Sequence, residues 1–307
     1  SEGKVAIYDY NGSAWVQVGG DIDGEAANDK SGSSVSLSSI GRRVAIGAYR
    51  NDGNGADSGH VRIYDYNGSA WVQVGADIDG EAANDGSGYS VSLSSDGSRV
   101  AIGAYSNDGT NGANSGHVRI YDYDGSAWVQ VGGDIDGEAA NDQSGRAVSL
   151  SSDGTRVAIG AKDNDGANGS NSGHVRIYDY NGSAWVQVGA DIDGEAANDD
   201  SGRSVSLSSD GSRVAIGAPD NNGNGSSSGH VRIYDYDGSA WVQVGADIDG
   251  EAQGDALGYS VSLLSDGSRV AVGAPLNDAG NASSYSWGHV RIYDYNGSAW
   301  VQVGADI

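Results

Sequence analysis

Residues 87–132 read SGYSVSLSSDGSRVAIGAYSNDGTNGANSGHVRIYDYDGSAWVQVG. Four runs in this stretch, YSVSLS, RVAIGA, HVRIYDY and AWVQVG, alternate or cluster Val, Ile, Leu, Tyr and Trp. Such residues suit a pleated, half-buried surface. Turn signals separate the runs: Asp96-Gly97, then a loop rich in Gly, Asn and Ser, then Asp124-Gly125. No window shows a helical period. The stretch predicts a four-stranded antiparallel sheet joined by short hairpins.

The same text recurs along the chain. Its Trp falls at Trp15, Trp71, Trp128, Trp185, Trp241 and Trp300, with no linker between copies. A four-stranded unit repeated at this period predicts an all-β fold, a β-propeller of four-stranded antiparallel blades. Small Ser, Ala and Gly between the apolar residues of SVSLSS and VAIGA fit the crowded axis of such a ring. A parallel β-helix is the rival, but its coils are shorter and need no hairpin after almost every strand. The inner strand occurs five times, near Ser34, Ser90, Ala147, Ser204 and Ser260, whereas the IYDY…AWVQVG pair occurs six times. The expectation is one domain over 1–307: a half-blade at 1–30, then units at about 31–86, 87–143, 144–200, 201–256 and 257–307. That is five full blades and a spare outer hairpin. The spare pair either closes the ring as a clasp, pairs outside it, or marks a window on a longer array.

SGYSVSLSSDGSRVAIGA followed by GHVRIYDY resembles the FG-GAP repeat of integrin-alpha-type propellers. Ser87-Gly88, or Leu257-Gly258 in the last unit, stands where that family has Phe-Gly, and Gly217-Ala218-Pro219 and Gly273-Ala274-Pro275 match its Gly-Ala-Pro. The resemblance covers nearly the whole chain. It implies that the DIDGEAAND linker and the loop after the second strand share the ligand face. The family's calcium loop, between the first and second strands, is not matched. SSDGSR offers one carboxylate there, such as Asp96.

Composition narrows the function. The 307 residues include 51 Gly and no Cys, so there is no disulfide, thiolate site or Cys nucleophile. The net charge of -25 argues against nucleic-acid binding and against docking on anionic membranes. No apolar run reaches a membrane span, and no signal peptide is visible. Because the chain opens on Ser and stops in mid-motif, it reads as a processed or cropped segment.

The acidic linker supplies Asp77, Asp79, Glu81 and Asp85, and its later copies supply Asp134, Asp136, Asp191 and Asp193. Closely spaced carboxylates are what a hard cation needs, so calcium is the candidate cofactor; turn-making and solvation is the bland alternative. His60, His117, His174, His230 and His289 all open the third strand, and a residue copied into every blade is read as structural. Arg99 and Arg119 are expected to partner Asp122. N-glycan acceptor sequences occur in the hairpins at Asn11, Asn67, Asn181 and Asn296. Others occur in the variable loops at Asn168, Asn224 and Asn281. The two Asp-Gly-Ser copies show that the hairpin's shared requirement is a turn, which Asn-Gly and Asp-Gly both supply through positive backbone angles. The irregular last unit adds Leu257, Leu276, Tyr285 and Trp287, as a cap or as a partner-binding patch.

These features predict a non-enzymatic extracellular or cell-surface protein, structural or adhesive, and a candidate self-assembling filament or surface-layer subunit. Its partner would be itself, head to tail or by an edge strand, or an extracellular glycan or protein. The alternative is a multivalent cation-dependent or glycan-binding module that uses the acidic face.

Overall fold

A computed structural model describes residues 2–278 and 287–307. The quoted stretch forms blade two: Ser87–Leu93, Arg99–Ala104, His117–Tyr123 and Trp128–Gln130, each antiparallel to the next. Blades one, three, four and five repeat this order from Ser34, Ala147, Ser204 and Ser260. The turn between third and fourth strands differs from expectation in its mechanism. Gly68 has a positive φ of 97°, but Asn67 does not take one. Instead Asn67 Oδ1 accepts from the Ser69 and Ala70 amides and the Ser69 hydroxyl at 2.9 Å. Asp124 does the same at 2.8 Å. The position needs a short side-chain acceptor, which is why Asn and Asp interchange there.

The linker read as loop contributes a strand. Ile78–Asp79, Ile135–Asp136, Ile192–Asp193 and Ile248–Asp249 each pair with the start of their own blade's third strand. Their isoleucines are buried, so apolar burial draws the linker onto the blade.

The core lies between blades. Ala101, Val118, Ile120 and Ile135 of blade two meet Val148, Leu150, Val157, Ile159 and Tyr178 of blade three. The blades approach so closely that a Cβ on Gly160 would lie 2.0 Å from the Gly202 carbonyl oxygen. Near the axis the Ser39 amide donates to the Ser95 carbonyl, Ser95 to Ser152, Ser152 to Ser209 and Ser209 to Ser265, at 2.7–2.9 Å. This ladder ties each inner turn to the next.

The spare hairpin is not a clasp. Tyr8–Tyr10 and Trp15–Gln17 form their own two-stranded sheet, and Lys4–Val5 pairs with Ile22–Asp23. Val5, Ile7 and Ile22 of this half-blade pack on Val44, Ile46, Tyr64 and Trp71 of blade one. Leu257, expected in a surface patch, is fully buried between blades four and five, because it stands where Ser87, Ser144 and Ser201 are buried in earlier junctions. Leu276 and Trp287 are exposed. Tyr285 and Asn281 lie outside the described residues.

Gly160→Ala should destabilise the fold by about 1–3 kcal/mol, the usual cost of overpacking. Gly133→Ala, where nothing lies within 4 Å, should be neutral or slightly stabilising. Urea denaturation of the two variants measures the contrast.

Candidate metal centres at the blade junctions

The third strand begins with His at the point where a blade's own linker strand and the preceding blade's linker converge. This brings three residue types together five times: Glu25, His60 and Asp77; Glu81, His117 and Asp134; Glu138, His174 and Asp191; Glu195, His230 and Asp247; Glu251, His289 and Asp306. In each cluster a ligand atom of every residue lies within 4.8 Å of the other two. The Glu comes from one blade, and the His and Asp from the next.

His60, His117, His174 and His230 are almost wholly buried. His60 Nδ1 lies 3.9 Å from Glu25 and 3.7 Å from Asp77. His230 Nδ1 lies 3.7 Å from Glu195 and 3.8 Å from Asp247. These separations exceed hydrogen-bond reach. The imidazoles thus face two carboxylates without bonding either. His174 Nε2 is also buried with no partner. Burial pushes His60 and His117 below the usual imidazole range, and brings His174 and His230 down to about 4, with Arg176 and Arg232 adding to the last two. At neutral pH each ring keeps a lone pair for a metal. Burial also raises Glu138 and Glu195.

Neighbouring groups hold the carboxylates in place. Gln73 Nε2 donates to Asp77 Oδ1 at 2.6 Å, leaving Oδ2 toward His60. Gln130, Gln187, Gln243 and Gln302 do the same for Asp134, Asp191, Asp247 and Asp306. Arg62, Arg119, Arg176, Arg232 and Arg291 reach the Glu of their cluster at 3.5–3.7 Å. The half-blade varies this arrangement. Lys4 stands in the His register, pairing with Asp23 as His60 pairs with Asp79. Its ammonium sits 2.6 Å from Asp21. Where His is missing, a built-in cation takes its place.

The expected acidic residues therefore do not converge on one loop site. Asp77, Asp134 and Asp191 join the cluster of their own blade, and Glu81 joins that of the next. Asp79, Asp136 and Asp193 lie on the linker strand, where their backbone carbonyls accept from Arg119, Arg176 and Arg232 at 2.6–2.7 Å. Asp85 is buried and caps its own turn, accepting from the Ala82 amide at 2.8 Å and Asn107 at 3.1 Å. The histidines read as structural contribute the one nitrogen-bearing side chain of each cluster. One sequence signal could have found them: each cluster Asp lies 17 residues after its His. Arg99 does pair bidentately with Asp122, but Arg119 turns instead to Glu81 and the Asp79 carbonyl.

The acceptor asparagines fall into two groups. In the hairpins of Asn11, Asn67, Asn181 and Asn296 the structural bonds run through Oδ1. Asn168 and Asn224 use Nδ2, the atom that would carry a glycan, to hold the Gly194 and Gly250 carbonyls at 2.7 and 2.9 Å. A position that sequence reasoning passed over varies at the entry to the inner strand: Ser33, Tyr89, Arg146, Arg203 and Tyr259. Arg146 stacks 4.3 Å from the Tyr89 ring centre and Arg203 4.4 Å from that of Tyr259.

No protein-family model matches the chain, and no curated protein matches it. Solved structures do. Hydrazine synthase of Kuenenia stuttgartiensis is 14% identical with a TM-score of 0.60, covering 95% of this chain and 70% of that one. A "putative 6-phosphogluconolactonase" of Bacteroides uniformis is 13% identical with a TM-score of 0.59, covering 96% and 79%. Likeness at this identity shows the fold alone, and with the repeated four-stranded sheets it makes the chain a β-propeller. The expectation that the chain is not an enzyme is withdrawn: both neighbours carry enzyme names, so the architecture does not set the chain apart from catalysts.

Asn67→Asp should leave stability unchanged, and Asn67→Ala should lose about 1 kcal/mol with its acceptor. Thermal melts compare them. On expression through a secretory pathway, glycopeptide mapping should find glycan at Asn67 and Asn181 and none at Asn168 or Asn224.

Proposed function

We propose that this chain is a structural repeat protein of a cell exterior, whose blades are tied together by divalent transition-metal ions at the Glu-His-Asp clusters. The observation that carries this reading is the buried His Nδ1 facing two carboxylates beyond hydrogen-bond reach, which recurs from junction to junction. One nitrogen and two carboxylate oxygens suit zinc or a similar ion. Calcium prefers an all-oxygen shell and fits the donor set less well. A tetrahedral zinc site spaces its nitrogen and oxygen donors by roughly 3.4 Å. The His-to-carboxylate separations of 3.7–3.9 Å need a few tenths of an ångström of closure, which a small shift of the half-exposed Glu side chains would supply. Because Glu belongs to one blade and His to the next, each ion would staple a junction. The ammonium of Lys4 beside Asp21 supports a cation at that position. The exterior location is supported by the net charge of -25 and by hairpin asparagines whose structural bonds leave Nδ2 out. Kinship with integrin-alpha-type propellers rests on the repeat motifs.

Calorimetric titration of chelator-treated protein should show several zinc sites per chain and a markedly weaker response to calcium. Saturating zinc should raise the melting temperature, each site adding about 2.7 kcal/mol at a hundredfold excess over its Kd. His117→Gln should remove one site. Binding of less than one zinc per chain, or equal response to calcium, would exclude the reading.

A further inference from the structure

The repeats are nearly identical, and several of their differences meet at one place on the linker face. The residue after the second strand is Tyr49 in blade one and Tyr105 in blade two, then Lys162, Pro219 and Pro275. The last linker residue is Gly86 between blades one and two, and Lys30, Gln143, Asp200 or Ala256 at the other junctions. Around Gly86 these positions touch the variable entry to the inner strand. The Tyr89 ring centre lies 5.3 Å from that of Tyr49 and 4.5 Å from that of Tyr105. Arg146 of blade three lies over Tyr89 and also over Tyr105, 4.9 Å from its ring centre, and Arg50 lies 5.5 Å from that of Tyr49.

A slot of about 220 Å³ opens here, lined by Tyr49, Arg50, Asn84, Gly86, Tyr105 and Asn114, with Asp57 the one carboxylate residue of its wall. It opens at this junction because Gly86 has no side chain to fill it and both flanking positions carry Tyr. The slot also lies where the chain keeps positive charge uncompensated. Among the described residues, twelve of the 17 lysines and arginines pair with a carboxylate. Lys30, Arg42, Arg50, Arg146 and Arg203 do not. Arg42 lies in the turn between the first and second strands, on the opposite face. The other four gather around the slot. Arg203 bonds Tyr259 and reaches Tyr89, and Lys30 follows Asp29, whose carbonyl accepts from the Arg50 amide. Arg146 Nε and Gln143 Oε1 are buried there without hydrogen-bond partners. In a chain of net charge -25, four unpaired cations beside three tyrosines are a place built for an anion.

We propose that the slot between blades one and two binds one anionic pyranose residue of an acidic glycan. Tyr49 and Tyr105 offer apolar ring surface to the C–H face of the sugar. Asn84 and Asn114 offer amides to its hydroxyls. Arg50 takes its carboxylate or sulfate, because a planar guanidinium fork matches either group, and Arg146 adds positive charge from behind Tyr105. The small volume suits a single sugar ring. The site is single, since Lys162, Pro219 and Pro275 replace the tyrosines in later blades. It shares no residue with the Glu-His-Asp clusters, so it stands or falls apart from metal binding.

Calorimetric titration in chelator is the test, with oligosaccharides of galacturonate, of mannuronate and of sulfated galactose, the methyl ester of the first, and triglutamate. We expect one site per chain for at least one acidic oligosaccharide, weakening as salt rises. Whether uronate or sulfated sugar binds tells which anion the slot takes. Methyl esterification of a bound uronate, or desulfation of a bound sulfated sugar, should weaken binding at least tenfold. Arg50→Gln should do the same, and Arg42→Gln on the opposite face should change nothing. Gly86→Gln should fill the slot and abolish binding while the melting temperature holds. Gln143 already occupies that register at a φ of 54°, against 64° for Gly86, so the backbone accepts the side chain. Failure of every acidic oligosaccharide to bind overturns the proposal. So does equal binding of the uncharged sugar or of triglutamate, or binding that Gly86→Gln leaves intact.

Discussion

Close approach between successive blades is the constraint on which the rest of this protein depends. At Gly103 a Cβ would meet the Gly145 carbonyl oxygen at 2.0 Å, so the second strand must carry glycine where the next blade's inner strand opens. That approach lets Ser90 Oγ reach the Gly145 carbonyl at 2.8 Å and the Leu150 amide reach Ser92 Oγ at 3.0 Å. Farther out, indole-to-carbonyl bonds and Arg-aromatic stacking hold the wider part of the junction. The apolar residues of a single blade have no core of their own and are covered only by a neighbour.

The same geometry builds the metal-type clusters. A linker that runs from one blade to the next brings its Glu beside the following blade's His, and the returning linker strand adds Asp. Burial of the His is thus a by-product of blade packing, and it keeps the ring neutral. Stapling by an ion would reinforce contacts that already exist.

Much of the fold was legible in local text. Alternating Val and Ile with Asp-Gly or Asn-Gly between the runs gave strands, hairpins and blade order, because turn chemistry and period act over a few residues. The linker strand was not legible. Ile78 and Asp79 are two residues in a polar stretch, and only burial against the third strand makes them a strand. The candidate site was half legible. Asp77 and Glu81 stood out as acidic, but they belong to different clusters, and the His that joins each set was masked by its repetition.

The sequence by itself determined that this is an all-β repeat array, that Asn-Gly and Asp-Gly turn the chain between the third and fourth strands, and that acid gathers in the linkers. These follow from short-range propensity and composition. Tertiary structure alone decided that Leu257 is core, that Asp79 and Asp85 serve the backbone, and that Glu, His and Asp from successive blades meet at one point. The physical reason is distance along the chain. Glu81, His117 and Asp134 are far apart in sequence, and only the stacking of one blade on the next places their ligand atoms within 4.8 Å.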